Sequence, residues 1–461
     1  MKMFACLLAS MFCLVLPSAA LAQETTNPTP DDMTAQARAL VDALAKGDFA
    51  GASKNFDERM RAALPPEKLQ LVWENINTQA GDFKRQTTVR TEKVGQYDAV
   101  IVTCEFAFMA LDTRVVFNDK RQVTGLFFVP ASKPSSANAY TTPSYVRPAS
   151  FQEKEVTVGT GEWAVPGTLA MPVLPTGTTA RRATFPAVVL VHGSGPHDRD
   201  ETVGAFKPFR DLAQGLASQG IAVLRYEKRT KAHGEKIMKT ASATFTVKEE
   251  VIDDALAAVA LLRKMEGINP RRIFVLGHSL GGMLAPRIAR ADPHIAGLIL
   301  LAGASRPLED VLLPQFTYLF SLDGVVSPEE QAQLDALIKQ LAKLKDPQTN
   351  DATLAAELPL QLPARYWLAL RGYMPAQDAR TLKTPMLILQ GERDYQVTME
   401  DFEGWKILSS RKNVQLKSYP RLNHLFIEGE GKSTPEEYSK TGNIPPYVID
   451  DITAWINKMK N

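Results

Sequence analysis

The spacing of apolar and polar residues changes partway through the first part of the chain. Apolar residues first recur at helical spacing and then, from about residue 87, at every second position, which is typical of half-buried strands. The predicted helices lie at 35–44, 49–64 and 65–76. The predicted strands lie at 87–94, 97–106, 111–117 and 123–129. Helices followed by strands indicate a small α+β domain over 31–130.

Strands and helices alternate from residue 151 to the end of the chain. An antiparallel edge pair is predicted at 155–158 and 163–171. Further strands are predicted at 187–191, 221–225, 272–276, 296–301, 385–390 and 414–419. Helices are predicted at 208–218, 247–265, 280–290 and 447–459. This alternation predicts a mostly parallel sheet with helices on both faces.

Two segments interrupt these patterns. Residues 131–150 combine prolines with serine, alanine and threonine, which predicts an extended and exposed linker. Between about 305 and 384 no strand pattern occurs, and a helix is predicted from 328 to 344. We interpret this insertion as a helical cap over an apolar pocket. Five aromatic residues of the cap are candidates either for the pocket lining or for its own core: Phe316, Tyr318, Tyr366, Trp367 and Tyr373.

The first residues of the chain have the features of a secretory signal. Lys2 precedes an apolar run over 4–16, and Ala20-Leu21-Ala22 is typical of a cleavage site. The run is shorter than the roughly 20 apolar residues that a membrane-spanning helix needs. We therefore expect cleavage after Ala22, a periplasmic or secreted protein over 23–461, and no membrane anchor once the signal at 1–22 is removed.

Composition excludes several classes of function. The formal net charge of +2 gives no reason to expect nucleic acid or an anionic membrane as partner. After removal of the signal Cys104 is the one remaining cysteine, so neither an intramolecular disulfide nor a cysteine metal site is expected. Its alternating apolar surroundings favour a buried structural thiol. No metal-ligand cluster is visible, and we expect neither a metal nor a cofactor.

The sequence Gly-His-Ser-Leu-Gly-Gly at 277–282 follows a predicted strand and begins a predicted helix. A serine at such a sharp turn is strained, and only small neighbours such as Gly277 and Gly281 permit the turn. Its hydroxyl then stands above the sheet edge, near the amide of Leu280 at a helix N-terminus. Ser279 is therefore the candidate nucleophile, against the alternative that the pattern is a plain turn.

A serine nucleophile needs a base, and the base needs a carboxylate to orient it. His424 lies between the last predicted strand and the last helix, where its loop reaches the same sheet edge as Ser279. Asp394 follows the strand at 385–390, and Glu392 is the alternative acid. The order Ser279, Asp394, His424 is the chain order of α/β hydrolases.

The reaction also needs two donors for an oxyanion. The amide of Leu280 is one candidate. The other is the amide of Ser194, in the sequence His-Gly-Ser-Gly-Pro at 192–196 after the strand at 187–191, where we expect His192 to support the loop. We expect the charged residues over 197–201 and 225–229 to pair with one another and hold this loop, with direct substrate contact by Arg199 or Lys228 as the alternative.

Four motifs, at 192–196, 277–282, 391–394 and 423–424, each follow a predicted strand, and together they resemble those of α/β-hydrolase serine esterases. The resemblance covers residues 151–461 and implies an α/β-hydrolase fold with a helical cap. It is greatest to bacterial carboxylesterases with an N-terminal accessory domain, and the element order of 31–130 is similar to nuclear-transport-factor-two-like domains. For the accessory domain we consider dimerisation, shielding of the active site, ligand capture and a scaffold role.

The expected function is hydrolysis of small carboxylic esters through an acyl-enzyme, with short or medium acyl chains favoured by a bounded pocket. The alternative is a serine peptidase or aminopeptidase of the same fold, because the same groups attack amides. A thioesterase is disfavoured outside the cytoplasm, where acyl-CoA is not expected. A non-catalytic binder is disfavoured because all three members of the triad are present.

Overall fold

The computed structural model describes residues 30–80, 82–94, 97–106, 110–130, 140–173, 184–240 and 244–459. The chain forms two compact units, residues 1–135 and 136–461. The predicted signal at 1–22 and the first part of the predicted linker, 131–139, lie outside the described residues. Among the described residues, no helix combines the length and the apolar character that crossing a bilayer requires.

The N-terminal unit consists of helices followed by a four-stranded antiparallel sheet in the order β1-β2-β3-β4. Its helices are α1 (Pro30–Ala45), α2 (Phe49–Ser53), α3 (Glu58–Ala63) and α4 (Pro66–Ala80). Its strands are β1 (Phe83–Val94), β2 (Tyr97–Phe106), β3 (Ala110–Phe117) and β4 (Val123–Pro130). Cys104 is fully buried in the core, and this burial raises the pKa of its thiol to about 11. The expected order of elements and the buried thiol are both confirmed.

The predicted continuous helix at 49–64 is wrong. Helix α2 ends at Ser53, and Phe56 instead forms a bridge with Val123 at the start of β4. Helix α3 then starts anew, because the side chain of Asp57 accepts a hydrogen bond from the amide of Met60. Apolar spacing alone does not reveal this break, because the buried Phe56 also fits the apolar pattern of a continuous helix.

The C-terminal unit contains an eight-stranded sheet in the order β12-β11-β10-β9-β7-β8-β6-β5. Its strands are β5 (Phe151–Val158), β6 (Val165–Pro172), β7 (Phe185–Val191), β8 (Ala222–Tyr226), β9 (Ile268–His278), β10 (Gly297–Leu301), β11 (Met386–Gly391) and β12 (Val414–Tyr419). Strands β7 to β12 pair in parallel, and β5 and β6 add an antiparallel edge. The expected mostly parallel α/β sheet is confirmed.

Helices cover both faces of this sheet. They are α5 (Pro208–Ser218), α6 (Arg229–Ala232), α7 (Gly234–Thr240), α8 (Asp253–Arg263), α9 (Leu280–Ala291), α10 (Leu308–Phe320), α11 (Pro328–Lys345), α12 (Ala364–Leu370), α13 (Pro375–Ala379), α14 (Met399–Trp405) and α15 (Pro446–Lys458). A π-helical turn, Lys248–Ile252, leads into α8. Helices α8 and α9 pack on one face, and α5 and α15 pack on the other. The central strands are therefore buried on both sides, as their continuous apolar runs require.

The strand order reverses at β7, which lies between β8 and β9. The chain runs from β7 to β8 on one side and later returns to β9 on the other side. The loops that follow β7 and β9 therefore start from neighbouring strand ends and lead away in opposite directions, which leaves a crevice between them. Open α/β sheets bind ligands in such a crevice. The sequence motifs at 192–196 and 277–282 occupy these two loops.

Residues 140–150 are anchored by a few side chains, although many of their neighbours in this segment are exposed as expected. The hydroxyl of Tyr140 donates to Asp211 on α5 at 2.8 Å, and that of Tyr145 donates to the carbonyl of Ile444 at 2.9 Å. Val146 is buried. The polar composition of 131–150 predicted a solvated linker, but its tyrosines supply both apolar area and donors that anchor this part to the C-terminal unit.

Candidate active site

Ser279 lies at the turn between β9 and α9 in a backbone conformation that few non-glycine residues adopt. Its φ is 51° and its ψ is −115°. A β-carbon on Gly277 would overlap the carbonyl of Gly281, so the turn closes only with glycine there. The side chain of Ser279 makes no capping hydrogen bond to the first turn of α9. The strained turn therefore presents a hydroxyl that the helix does not use.

His424 and Asp394 form a buried pair on the loops after β12 and β11. Nδ1 of His424 lies 2.6 Å from Oδ2 of Asp394. Because the carboxylate accepts the proton on Nδ1, the lone pair of the imidazole is left on Nε2. This is the tautomer that a general base for a serine requires.

The carboxylate of Asp394 is held by three further donors. The amides of Gln396 and Val397 donate to Oδ1 at 2.7 and 3.1 Å, and the side chain of Gln390 donates to Oδ2 at 3.2 Å. These donors fix the orientation of Asp394 independently of His424. Glu392, the alternative acid, is exposed and accepts a hydrogen bond from Ser418, so the structure does not bring it to the histidine.

The structure brings the base next to the serine elbow through His278, the residue before Ser279. Nε2 of His278 donates to the backbone carbonyl of His424 at 3.0 Å, and the two imidazole rings lie 4.7 Å apart. Ser279, Asp394 and His424 therefore converge on one sheet edge, although they lie on three loops widely separated in sequence.

The loop at 192–196 lies against the serine. A β-carbon on Gly193 would lie 3.1 Å from Cβ of Ser279, so glycine permits this close approach. In the described part of the chain, the amides of Ser194 and Leu280 donate to no protein acceptor. Two such amides beside the nucleophile have the arrangement of an oxyanion hole.

Three of the remaining histidines bond to backbone carbonyls and hold the structure. Nε2 of His192 donates to the carbonyl of Asp198 at 3.0 Å, and burial lowers the pKa of this imidazole to about 3, so it stays neutral as a support of the loop. His197 bonds to the carbonyl of Ser194, and His233 bonds to that of Ala164. His294 is exposed in the loop before β10, at the opposite edge of the sheet.

The charged residues beside the loop pair with one another, as expected. Arg199 contacts Glu227 at 2.9 Å, and Arg225 contacts Asp200 at 2.9 Å. Nζ of Lys228 lies 2.6 Å from the carbonyl oxygen of Gly193. Arg199 and Lys228 therefore bind groups of the protein, which favours the supporting role over direct substrate contact.

Glu201 and Glu250 are two buried acids whose function the sequence reasoning missed. Oε1 of Glu201 accepts from the amide of Gly193 at 2.7 Å, and Oε1 of Glu250 lies 2.5 Å from Nζ of Lys228. Glu201 lies within the charged run over 197–201, but its burial comes from contacts with a loop and a strand end that the run itself does not indicate. Glu250 lies on an amphipathic pattern that gives no sign of a buried charge.

Most aromatic residues of the cap carry structural hydrogen bonds. Tyr366 donates to Glu250 at 2.7 Å, Trp367 donates to the carbonyl of Pro359, and Tyr373 donates to that of Met283. Tyr318 of α10 packs against Tyr395, which follows Asp394, with the rings 5.3 Å apart. The cap is therefore tied to the loops of the site, while the predicted acyl pocket stays a prediction. Among the described residues, no group of three or more histidine, cysteine, aspartate or glutamate side chains has a metal-binding arrangement.

Two families match this chain. Residues 183–431 match the family described as serine aminopeptidase, S33, and this segment contains β7 to β12 and all three residues of the candidate triad. Residues 37–126 match a family described as protein of unknown function (DUF3887). The second match covers most of the described α+β unit and assigns it no activity.

Relatives of known name resemble this chain over different lengths. Esterase EstD of Thermotoga maritima is 40% identical over 91% of this chain and 94% of its own length. A monoacylglycerol lipase of Mycolicibacterium smegmatis is 26% identical over 58% of this chain and 87% of its own. The solved structure of Est1E from Butyrivibrio proteoclasticus covers 66% of this chain and 98% of its own, at 17% identity and a TM-score of 0.40, values too low to support a functional argument.

Proposed function

This chain belongs to the α/β-hydrolase family described as serine aminopeptidase, S33, and on that basis we propose that it is a serine carboxylesterase. The observation that carries the proposal is the 2.6 Å pair between His424 and Asp394, which meets the strained elbow of Ser279 at one sheet edge. The 40% identity with an esterase across nearly the whole chain supports ester substrates.

In the proposed reaction, Oγ of Ser279 attacks the ester carbonyl while Nε2 of His424 accepts the hydroxyl proton. Asp394 stabilises the imidazolium that forms, and the amides of Ser194 and Leu280 stabilise the oxyanion. The imidazolium then protonates the leaving alcohol, which leaves an acyl-enzyme. A water molecule deprotonated by His424 attacks that acyl group and releases the acid and the free serine.

We further propose short- or medium-chain acyl groups and a periplasmic or secreted location. Helix α10 of the cap packs on the loop that carries Asp394, which supports a bounded site. The charged, apolar and small residues at the start of the chain support export.

A peptidase of the same fold is the second candidate, because the family description names an aminopeptidase. An aminopeptidase holds the substrate amine with an acidic anchor. Several buried acids near these loops already face protein cations: Glu201 faces His278, Glu250 faces Lys228, and Asp401 faces Arg306. These three carboxylates already pair with cations of the protein and are not available to bind a substrate amine. This favours ester substrates over peptides.

Hydrolysis of p-nitrophenyl esters from acetate to palmitate tests the proposal. We expect activity on the shorter chains, its loss in Ser279→Ala, and its retention in Ser409→Ala, which removes an exposed hydroxyl. Circular dichroism checks that both variants fold. Cleavage of aminoacyl p-nitroanilides without cleavage of esters would replace the esterase by the peptidase, and an active Ser279→Ala would contradict the assigned nucleophile.

A further inference from the structure

Lys228 is a buried lysine directly behind the loop at 192–196. It follows β8, is 2% exposed, and places Nζ 2.6 Å from the carbonyl oxygen of Gly193 and 2.5 Å from Oε1 of Glu250. Lysine is almost never fully buried without a partner, because removing an ammonium group from water costs several kcal/mol. An ammonium group has three N–H donors, so a buried one needs acceptors beyond its charged partner, and the carbonyl of Gly193 supplies one of them.

The carbonyl of Gly193 and the amide of Ser194 belong to the same peptide group. A trans peptide is planar and its C=O and N–H point in opposite directions, so a contact that fixes the carbonyl also fixes the amide. Lys228 therefore directs the Ser194 amide away from itself. If this peptide flipped, the amide would face the ammonium group and the hydrogen bond to the carbonyl would be lost.

The loop needs such a constraint because glycines surround this peptide. Gly193 has no β-carbon, and Gly195 has a φ of +103°, so side-chain sterics restrict rotation here only weakly. Glu201 holds the other side of Gly193 by accepting its amide proton at 2.7 Å. Two buried charges of opposite sign thus fix the two peptide groups of one glycine.

The contact also acts electrostatically. A cation bonded to a carbonyl oxygen polarises the whole peptide group, which makes its N–H a stronger donor. The Ser194 amide therefore gains donor strength as well as direction.

We propose, on the basis of the proposed function above, that Lys228 is the positioning residue for the oxyanion-hole amide of Ser194. Its own position is set by Glu250, which also accepts a 2.7 Å hydrogen bond from Tyr366 of cap helix α12. A continuous series of polar contacts thus joins the cap to the oxyanion hole through Tyr366, Glu250, Lys228 and Gly193. The lysine touches neither the substrate nor the reacting atoms in this role.

The test compares Lys228→Met with Arg229→Met. Methionine keeps the length of the side chain without its charge. Arg229 is the next residue and pairs with Asp254, and in the described part of the chain it makes no hydrogen bond to 192–196, so its variant controls for the loss of a partly buried cation. For p-nitrophenyl butyrate we expect Lys228→Met to lower kcat about 100-fold, as loss of one oxyanion donor does. KM should change by less than about threefold, because the contact matters mainly in the transition state.

A boronic acid that adds to Ser279 as a tetrahedral adduct gives a second measurement. Its dissociation constant should rise in Lys228→Met by a factor similar to the loss in kcat, whereas Arg229→Met should leave both values near those of the wild type. Equal kcat and equal boronate affinity in folded Lys228→Met and wild type would overturn the proposal. So would equal losses in both variants.

If Lys228→Met does not fold, Tyr366→Phe decides the question, because it removes only the hydroxyl that orients Glu250. We then expect a smaller fall in kcat, about threefold to tenfold, at unchanged KM. An unchanged kcat would overturn the proposal. The proposed function fails separately: it fails if the wild type cleaves no ester or if Ser279→Ala stays active. If the wild type cleaves no ester, the boronate measurement still reports on the hole, because it needs no turnover; if Ser279→Ala stays active, the assigned nucleophile and the hole beside it fail together.

Discussion

His278 and Glu201 form a buried ion pair beneath the candidate oxyanion loop, with Nδ1 of the histidine 3.0 Å from Oε2 of the glutamate. Both nitrogens of His278 face acceptors, because Nε2 meets the carbonyl of His424. The carboxylate of Glu201 favours the doubly protonated imidazole, although the approach of Nδ1 to Oε2 does not have hydrogen-bond geometry. Glu201 has a φ of 51°, a conformation that is costly for a residue with a side chain. The pair thus joins the oxyanion loop, the residue before the nucleophile and the backbone of the base.

The stability that this pair contributes should depend on pH. Burial opposes both charges, but the attraction between them prevails: the pKa of Glu201 is lowered from 4.5 to about 2, and that of His278 is raised above 6.5. The contribution of Glu201 is present above pH 4.5 and is lost as the pH falls toward 2. That of His278 is present below pH 6.5 and is lost as the pH rises through its raised value. Both contributions to the free energy of unfolding are therefore fully present between pH 4.5 and pH 6.5.

Glu201→Gln measures this dependence. At pH 5.5 it should lower the free energy of unfolding by roughly 3 kcal/mol, since it leaves a buried partner without its counter-charge. The difference from wild type should shrink at pH 9, as urea denaturation at both values would show. Glu155→Gln, which removes an exposed partner of Arg199, should cost less than about 1 kcal/mol at either pH. If Glu201→Gln lowered the free energy of unfolding by the same amount at pH 5.5 and at pH 9, the assigned ion pair would be contradicted.

The acid of the triad can be identified by a pair of matched substitutions. Asp394→Asn should lower kcat by about 10³- to 10⁴-fold, because an amide that donates to Nδ1 of His424 would stabilise the wrong tautomer. Glu392→Gln should leave kcat unchanged, since Glu392 is exposed and bonded to Ser418. Kinetics on p-nitrophenyl butyrate distinguish the two. Loss of activity in Glu392→Gln but not in Asp394→Asn would assign the acid to Glu392.

The sequence predicted those parts of the site that depend on nearby residues or on the order of strands in the sheet. Gly277, Ser279 and Gly281 require one backbone conformation, and the acid and the base each follow a parallel strand, so their loops must reach the same edge. Periodicity likewise located the buried strands. These features depend only on residues that are neighbours in the chain or on strands of one sheet.

The sequence did not predict which buried charges pair. Glu201, Lys228 and Glu250 come from three loops or helices, and nothing in their flanking residues states which carbonyl or amide each will meet. The packing of Tyr140 and Tyr145 in the predicted linker was missed for the same reason, because their acceptors lie on α5 and before α15. Such pairs depend on tertiary contacts, and a solvated charge and a paired buried charge have the same sequence pattern.

Export can be tested on the intact chain. When the whole sequence is expressed in a bacterium with a secretory pathway, we expect the activity in the periplasm or the medium and a purified protein that begins at Gln23. Ala20→Lys should block cleavage, because small residues are needed at this site, and Lys46→Ala, just after α1, is a control. Mass spectrometry reads the new terminus. A full-length cytoplasmic protein from the unaltered sequence would contradict the predicted signal.

The elbow itself should tolerate no added carbon. Gly277→Ala would place a methyl group on the carbonyl of Gly281, which cannot retreat because Gly281 lies against the backbone of Val191. We expect a loss of several kcal/mol in the free energy of unfolding and a fall in kcat, because the turn that presents Ser279 must open. Gly234→Ala is the matched control: nothing lies within 4 Å of the added carbon and its φ is not positive, so stability should change by less than about 1 kcal/mol. Urea denaturation measures the change in the free energy of unfolding, and kinetics measure the change in kcat. If Gly277→Ala matched the wild type in both, the tight elbow would not be what presents the nucleophile.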